Sequence, residues 1–198
     1  MGKLSPLPMA PVSRLLPLLS GLLLAAIPLV PVAPLGAPSV SALELRGSTV
    51  FVKAPWRVDL ITYYSTVWEP NPEYYFTLSL DPAAGADLGQ LTVEQIRGAD
   101  TSFQFSPERS RAFLGRPRRE GRPVPVQAQW DSRARRMTID FPEPVPPGST
   151  VTVVLRPWAN PGVSDTYLFQ VVAWPAGPRP VASPVGVATL RIYSFMPW

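Results

Sequence analysis

The stretch Phe141-Pro142-Glu143-Pro144-Val145-Pro146-Pro147-Gly148-Ser149-Thr150-Val151-Thr152-Val153-Val154-Leu155-Arg156-Pro157-Trp158-Ala159-Asn160-Pro161 decides the fold. Pro146 and Pro147 fix their own φ near about −65° and hold the residues before them extended, while Gly148 is free to reverse the chain. Val151, Val153 and Leu155 then alternate with Thr150, Thr152, Val154 and Arg156, the period of two expected of a strand with one apolar face. Pro157 closes the strand. The reading is a proline-stiffened turn feeding a strand, and the same punctuation recurs along the chain.

Outward from it, about nine strand-like runs lie between Leu45 and Arg191, at intervals typical of a sandwich or barrel. Thr49 to Lys53 is the first and Val58 to Thr66 the second, with Tyr63 and Tyr64 on opposite faces. Glu73 to Leu80 reads as half-buried, with Tyr74, Phe76, Leu78 and Leu80 inward. Leu91 to Arg97, Ser102 to Phe105, Val124 to Trp130 and Arg136 to Phe141 follow, the last two joined by a hairpin turn at Asp131 to Arg135. Thr166 to Trp174 is apolar on both faces apart from Gln170, the pattern of a central strand covered on each side, and Gly186 to Tyr193 is the last run. Ser106 to Pro125 has no clean period and reads as a long exposed loop, opened by a short helical turn with Pro107 at its first position and Ser106 as cap. Runs of strand without crossover helices favour antiparallel pairing. The expected fold is an all-β, antiparallel immunoglobulin-like β-sandwich of about seven to nine strands.

The amino-terminal segment reads as a signal peptide. Lys3 and Arg14 precede an apolar centre built on Leu15 to Ala26, and Ser39-Val40-Ser41-Ala42 supplies small residues for cleavage after Ala42. The apolar run to Leu35 is nearly long enough for a membrane span, but Pro17, Pro28, Pro31 and Pro34 interrupt it. Residues 1–42 are therefore assigned to the signal and 43–198 to one domain, exported to periplasm, envelope or medium. Membrane contact is expected only through an uncleaved signal or peripheral binding. With no cysteine in the chain, that domain is held by packing and backbone pairing rather than by disulfides.

The chain carries 18 Lys and Arg against 14 Asp and Glu, and the signal removes two of the bases. The excess is local. Arg97 to Arg136 holds ten arginines against Asp100, Glu108, Glu120 and Asp131. Arg109, Arg111, Arg116, Arg118, Arg119 and Arg122 form a candidate contact for an anionic polymer, lipid headgroups or an envelope protein, since a guanidinium meets carboxylate or phosphate with two hydrogen bonds. A solvated loop is the plainer reading of such a run. No nucleic-acid module is recognisable. Trp56, Trp68, Trp130 and Trp158 sit near strand ends and form a candidate carbohydrate platform, with core packing as the plainer reading.

The chain has neither His nor Cys, which removes the Ser-His-Asp triad, cysteine nucleophiles and the usual zinc sites. Carboxylates remain. Asp59, Glu69, Glu73 and Asp140 are too scattered to nominate a glycosidase pair, and Asp81 and Asp87 lack the spacing of a calcium loop. No cofactor, metal site or enzymatic activity is expected; the reading is a structural or protein-interaction sandwich.

Four phrases carry a family resemblance: Tyr75-Phe76-Thr77-Leu78-Ser79-Leu80, Arg111-Ala112-Phe113-Leu114-Gly115, Pro144 to Thr152, and Tyr167-Leu168-Phe169 with Pro175-Ala176-Gly177. In order and spacing the chain resembles an exported cyanobacterial family, domain of unknown function 2808, from about Val50 to Tyr193. The resemblance implies an exported bacterial β domain and brings no catalytic residue with it.

Overall fold

The computed structural model describes residues 43–45, by backbone alone, and 47–194. The signal assigned to residues 1–42 lies outside them. The described residues belong to one compact unit, Pro38–Trp198. Their strands are β1 (Leu43–Leu45), β2 (Ser48–Val50), β3 (Val58–Thr62), β4 (Tyr74–Ser79), β5 (Leu88–Arg97), β6 (Arg111–Arg116), β7 (Arg119–Val124), β8 (Gln127–Asp131), β9 (Arg136–Val145), β10 (Thr150–Leu155), β11 (Asp165–Pro175) and β12 (Ser183–Ile192). β1 and β2 form a hairpin. The others make two five-stranded antiparallel sheets, ordered β3-β4-β10-β6-β7 and β12-β11-β5-β9-β8. The expected antiparallel, immunoglobulin-like β-sandwich is the structure, with ten strands in its sheets.

Alternation builds the core. Tyr74, Phe76 and Leu78 of β4 and Val151, Val153 and Leu155 of β10 point from the first sheet toward Leu91 and Val93 of β5, Met137 and Ile139 of β9, and Tyr167, Phe169 and Val171 of β11. All are buried. Phe76 and Phe169 meet edge to face across the layer at 5.9 Å, and Phe103 and Phe105 close one end of it at 5.1 Å. Truncating a ring such as Phe169 to alanine would cost about 3–5 kcal/mol in lost burial and cavity formation.

The opening stretch folds largely as its pattern dictates. Gly148 adopts φ 79° in the Pro146–Ser149 turn, which Ser149 N–H closes on the Pro146 carbonyl at 3.3 Å, and its own N–H donates to the Leu80 carbonyl at 3.1 Å. β10 lies in the middle of its sheet, paired to β4 and β6. The prolines upstream do not end β9, however: it runs through exposed Pro142 and Pro144 to Val145, which pairs with Leu88.

The segment Ser106 to Pro125 overturns the loop expectation. After one 3₁₀ turn at Pro107–Arg109, it forms the hairpin β6–β7, turned by Pro117 and by Arg118 at φ 65°. Ser106 precedes that turn without a side-chain cap bond. The period was hidden because adjacent residues bury on opposite faces: Ala112 enters the main core, and Phe113 joins Tyr75 and Val154 in a small cluster on the outside of the sheet. That cluster also buries Tyr75, so β4 is covered on both faces rather than half-buried. β11 departs the other way, with Gln170 exposed and Leu168, Val172 and Trp174 only half-buried on its outer side. Tyr63 and Tyr64 lie beyond the end of β3, both exposed, and Ser102 to Phe105 is a loop that makes a single bridge, Phe105 to Pro157.

Candidate functional site

Three connections meet at one end of the sandwich: the one after β3, the one after β5 and the one after β10. The first and last are laced together. Asn71 N–H donates to the Trp158 carbonyl at 2.9 Å, Asn160 N–H to the Glu69 carbonyl at 2.8 Å, and Pro70 pairs with Ala159. Asn160 is buried and does most of the tying: its Nδ2 donates to the carbonyls of Thr66 (2.8 Å) and Tyr64 (3.1 Å), and its Oδ1 accepts the Tyr74 hydroxyl at 2.6 Å. Burial, with Tyr167 nearby, pushes the Tyr74 hydroxyl far above its ordinary pKa, so it remains a donor.

These laced loops present two tryptophans. Trp68 is 69% exposed and Trp158 67% exposed. Trp68 is the third residue of a turn closed by Glu69 N–H on the Thr66 carbonyl, and its φ is 59°. Turns with a left-handed third residue take Gly or Asn there, and a bulky side chain in that region is strained by about 1–3 kcal/mol. Its indole lies across Gly162, where an added Cβ would come within 2.2 Å of the ring. Trp158 is backed by Arg109, whose guanidinium lies 4.5 Å from the ring centroid and donates to Asn71 Oδ1 at 2.8 Å.

Between the rings is a groove of about 310 Å³, with Asp100, Ser102 and Gln104 along it. Asp100 is an anchor. Its carboxylate accepts Gly162 N–H at 2.9 Å, Ser102 N–H at 3.0 Å and the Ser102 hydroxyl at 2.7 Å. Burial works to raise its pKa, but these bonds, from Gly162 first, outweigh it and hold the carboxyl below the ordinary range. The groove therefore offers flat apolar faces beside fixed polar groups. Asp100 is the single carboxylate among the described residues that line it, and an ionised carboxylate so bonded is no general acid.

The arginines have a different fate. Arg111 makes a two-toothed pair with Glu120 at 2.9 and 3.1 Å and lies 3.8 Å from Glu73, whose carboxylate also meets Arg156 at 3.3 Å. Arg116 pairs with Asp59 at 3.2 Å, Arg122 with Glu143 at 3.8 Å, and Arg118 stacks on Tyr63 at 4.4 Å. Arg119, exposed on β7, makes none of these contacts among the described residues. Only Arg109 of the six reaches the groove's walls. Of the four tryptophans, Trp130 packs edge-on against Phe105 at 5.8 Å as part of the core, and Trp56 stands on the outer face of the first sheet. Sequence spacing gave no sign of Asp100, Asn160 and Gly162 as the supports of the site. The Asp-x-Ser pattern at Asp100-Thr101-Ser102 was the available local signal.

The other carboxylates are engaged separately. Asp140 accepts Gln90 Nε2 at 2.6 Å, and Asp81 caps the Ala83 N–H at 2.7 Å as turn residues do. No helix among the described residues is long and apolar enough to cross a membrane.

The structure is a two-sheet antiparallel sandwich with exposed aromatic rings on the loops at one end. The chain belongs to the family described as protein of unknown function DUF2808, whose model matches residues 48–192. No curated protein matches it. Among solved structures it is similar to an uncharacterized protein from Nocardia farcinica with an immunoglobulin-like fold, at 17% identity and TM-score 0.43 over 69% of this chain and 97% of that one. It is also similar to a collagen-binding domain of a Staphylococcus aureus adhesin, at 8% identity and TM-score 0.37 over 71% and 98% of the two chains. The collagen-binding subdomain ACE19 of Enterococcus faecalis surface protein ACE aligns at 4% identity and TM-score 0.41, over 70% and 97%.

Proposed function

We propose that this protein is an exported, non-catalytic sandwich of the cell envelope that works by binding, and that the groove between Trp68 and Trp158 is its contact surface for sugar rings. One observation carries the reading. Trp68 is held in a left-handed backbone conformation that suits glycine, yet its ring stays largely exposed. Strain that brings no burial is retained where the side chain itself is used. Two indole faces flanking a polar floor suit a glycan, which offers an apolar ring face and hydroxyls together. The paired state of Arg111 and Arg122 favours this reading over a general anion grip by the whole hairpin, because an anion arriving at either must compete with a carboxylate already there.

Affinity electrophoresis and tryptophan-quenching titration against neutral envelope glycans test it. Trp68→Ala and Trp158→Ala are each expected to weaken binding about tenfold while leaving the melting transition in place. Retained binding in both variants, or capture of an envelope protein that neither change disturbs, overturns the glycan reading. Fractionation of cells expressing the full chain, with mass determination of the mature terminus, tests export: cleavage before Leu43 is expected, and an intact chain in the cytosol removes it.

A further inference from the structure

The outer face of the first sheet divides into two halves. One carries Tyr75, Phe113 and Val154, which bury one another. The other carries hydroxyls where an apolar continuation would be expected: Thr77 and Thr152 with oxygens 2.8 Å apart, and Ser79 and Thr150 at 2.9 Å. Thr152 spends its proton on the Gly115 carbonyl at 2.7 Å. Thr77, buried beside it, must then donate to Thr152, so this pair is satisfied within the sheet, and exposed Ser79 is left as the hydroxyl open to solvent. A groove of about 310 Å³ opens over this half, walled by Trp56, Arg57 and Arg116 and floored by Asp59, Thr77 and Ser79.

The walls are chemically mixed. Asp59 takes Arg57 Nε at 2.9 Å on one oxygen and Arg116 Nη1 at 3.2 Å on the other. Two guanidinium groups against one carboxylate leave a net charge of about +1, and each guanidinium has further N–H donors beyond the one given to Asp59. Ion pairs as exposed as these contribute at most about 1 kcal/mol to stability, so the fold does not require them. Trp56 is 81% exposed and stands outside the core.

We infer that this groove is a second binding site, distinct from the Trp68–Trp158 groove, for a saccharide that carries one carboxylate, a uronic acid. The sugar face stacks on Trp56. Its carboxylate meets the free N–H groups of Arg57 and Arg116, and its hydroxyls donate to Asp59 and Ser79. The net charge of about +1 matches a monoanion, while Asp59 in the floor repels phosphate, which carries more than one negative charge at neutral pH, more strongly. The volume suits one or two sugar units, at the small end of ligand sites.

Calorimetric titration of the protein lacking residues 1–42, with trigalacturonate and with cellotriose as the neutral probe, tests the assignment. Trigalacturonate is expected to bind at least about tenfold more tightly than cellotriose at this site, and more weakly as salt rises. Trp56→Ala and Arg116→Gln are each expected to weaken it about tenfold, and Trp68→Ala and Trp158→Ala to leave it unchanged. Asp59→Asn is expected to raise affinity for inorganic phosphate and erase the preference for the uronate. The assignment is overturned if Trp56→Ala binds normally, if cellotriose binds equally, or if phosphate competes as well as the uronate in the unaltered protein. Loss through Trp68→Ala alone would place acidic sugars at the other groove and also overturn it. Circular dichroism on each variant checks that the sandwich is intact, and Trp56→Phe, which keeps a ring, is expected to retain most of the affinity.

Discussion

The arginine hairpin and the tryptophan end are the two regions of this molecule that its sequence marks out, and they use their side chains in opposite ways. In the hairpin, charge is turned inward on the protein: Arg111 closes on Glu120 and Glu73, Arg122 meets Glu143, and Arg118 lies on Tyr63. At the tryptophan end, a strained turn and a buried asparagine hold two large apolar rings out in solvent. Density of a residue type is therefore a poor guide to function, and satisfaction is a better one. A group already supplied with partners stabilises the fold, whereas an exposed ring held at a conformational cost is available to a ligand.

The largest test of that contrast is Asn160→Ala. Removing the amide strips three hydrogen bonds and leaves the Tyr74 hydroxyl and two carbonyls short of partners in a buried place. Unfolding free energy measured in urea is expected to fall by about 3 kcal/mol, and glycan binding to go with it, because both loops lose their shared anchor. A variant of ordinary stability would show that the loops are not held as described. Gly162→Ala separates holding from folding. An added Cβ collides with the Trp68 indole while the core is untouched, so binding is expected to weaken about tenfold with a stability change below about 1 kcal/mol. Unchanged binding would mean that the position of the Trp68 ring is irrelevant.

Most of the sandwich was legible because its strands hide one face. Val151, Val153 and Leu155 alternate cleanly, as do Met137, Ile139 and Phe141, and each set is found in the core. The hairpin β6–β7 was not legible. Ala112 and Phe113 bury on opposite sides, and β7 sends only Val124 into the core, so no period of two survives. For the site, Trp68 and Trp158 were visible as aromatics near turns, but the chain gave them no more weight than Trp130, which packs inside. What distinguishes them is exposure and, for Trp68, a backbone angle, on loops tied by Asn160 and Asp100 and with Gly162 under the Trp68 ring, residues distant in sequence from Trp68. One-dimensional spacing carries no record of such pairing.

Asp100 offers a test by pH. Its folded-state pKa lies below the ordinary value of 3.8, so its hydrogen bonds contribute stability that is complete above that value and is lost as pH falls through the lower one. In acid unfolding below about pH 4, the advantage of the natural protein over Asp100→Asn is expected to shrink steadily. A constant difference would mean that the carboxylate's charge contributes nothing.

The smallest effect belongs to the hairpin. Glu120→Gln removes the charge from the tightest arginine pair, yet both partners are about 40% exposed. The hydrogen bonds between Arg111 and Glu120 raise the arginine pKa against the opposing effect of burial, and a guanidinium keeps its charge without them. Screening by water limits such a pair to about 1 kcal/mol, and a shift of that size or less in urea unfolding is expected, diminishing further in salt. Neutral-glycan binding is expected to be unaltered. The freed Arg111 provides the sharper reading: if binding to a sulfated polymer such as dextran sulfate then rises at low salt, Arg111 was silent because Glu120 occupied it, and the two regions differ by satisfaction rather than by chemistry. If polymer binding does not change, Arg111 has no reach to a ligand even when released, and it serves the fold alone.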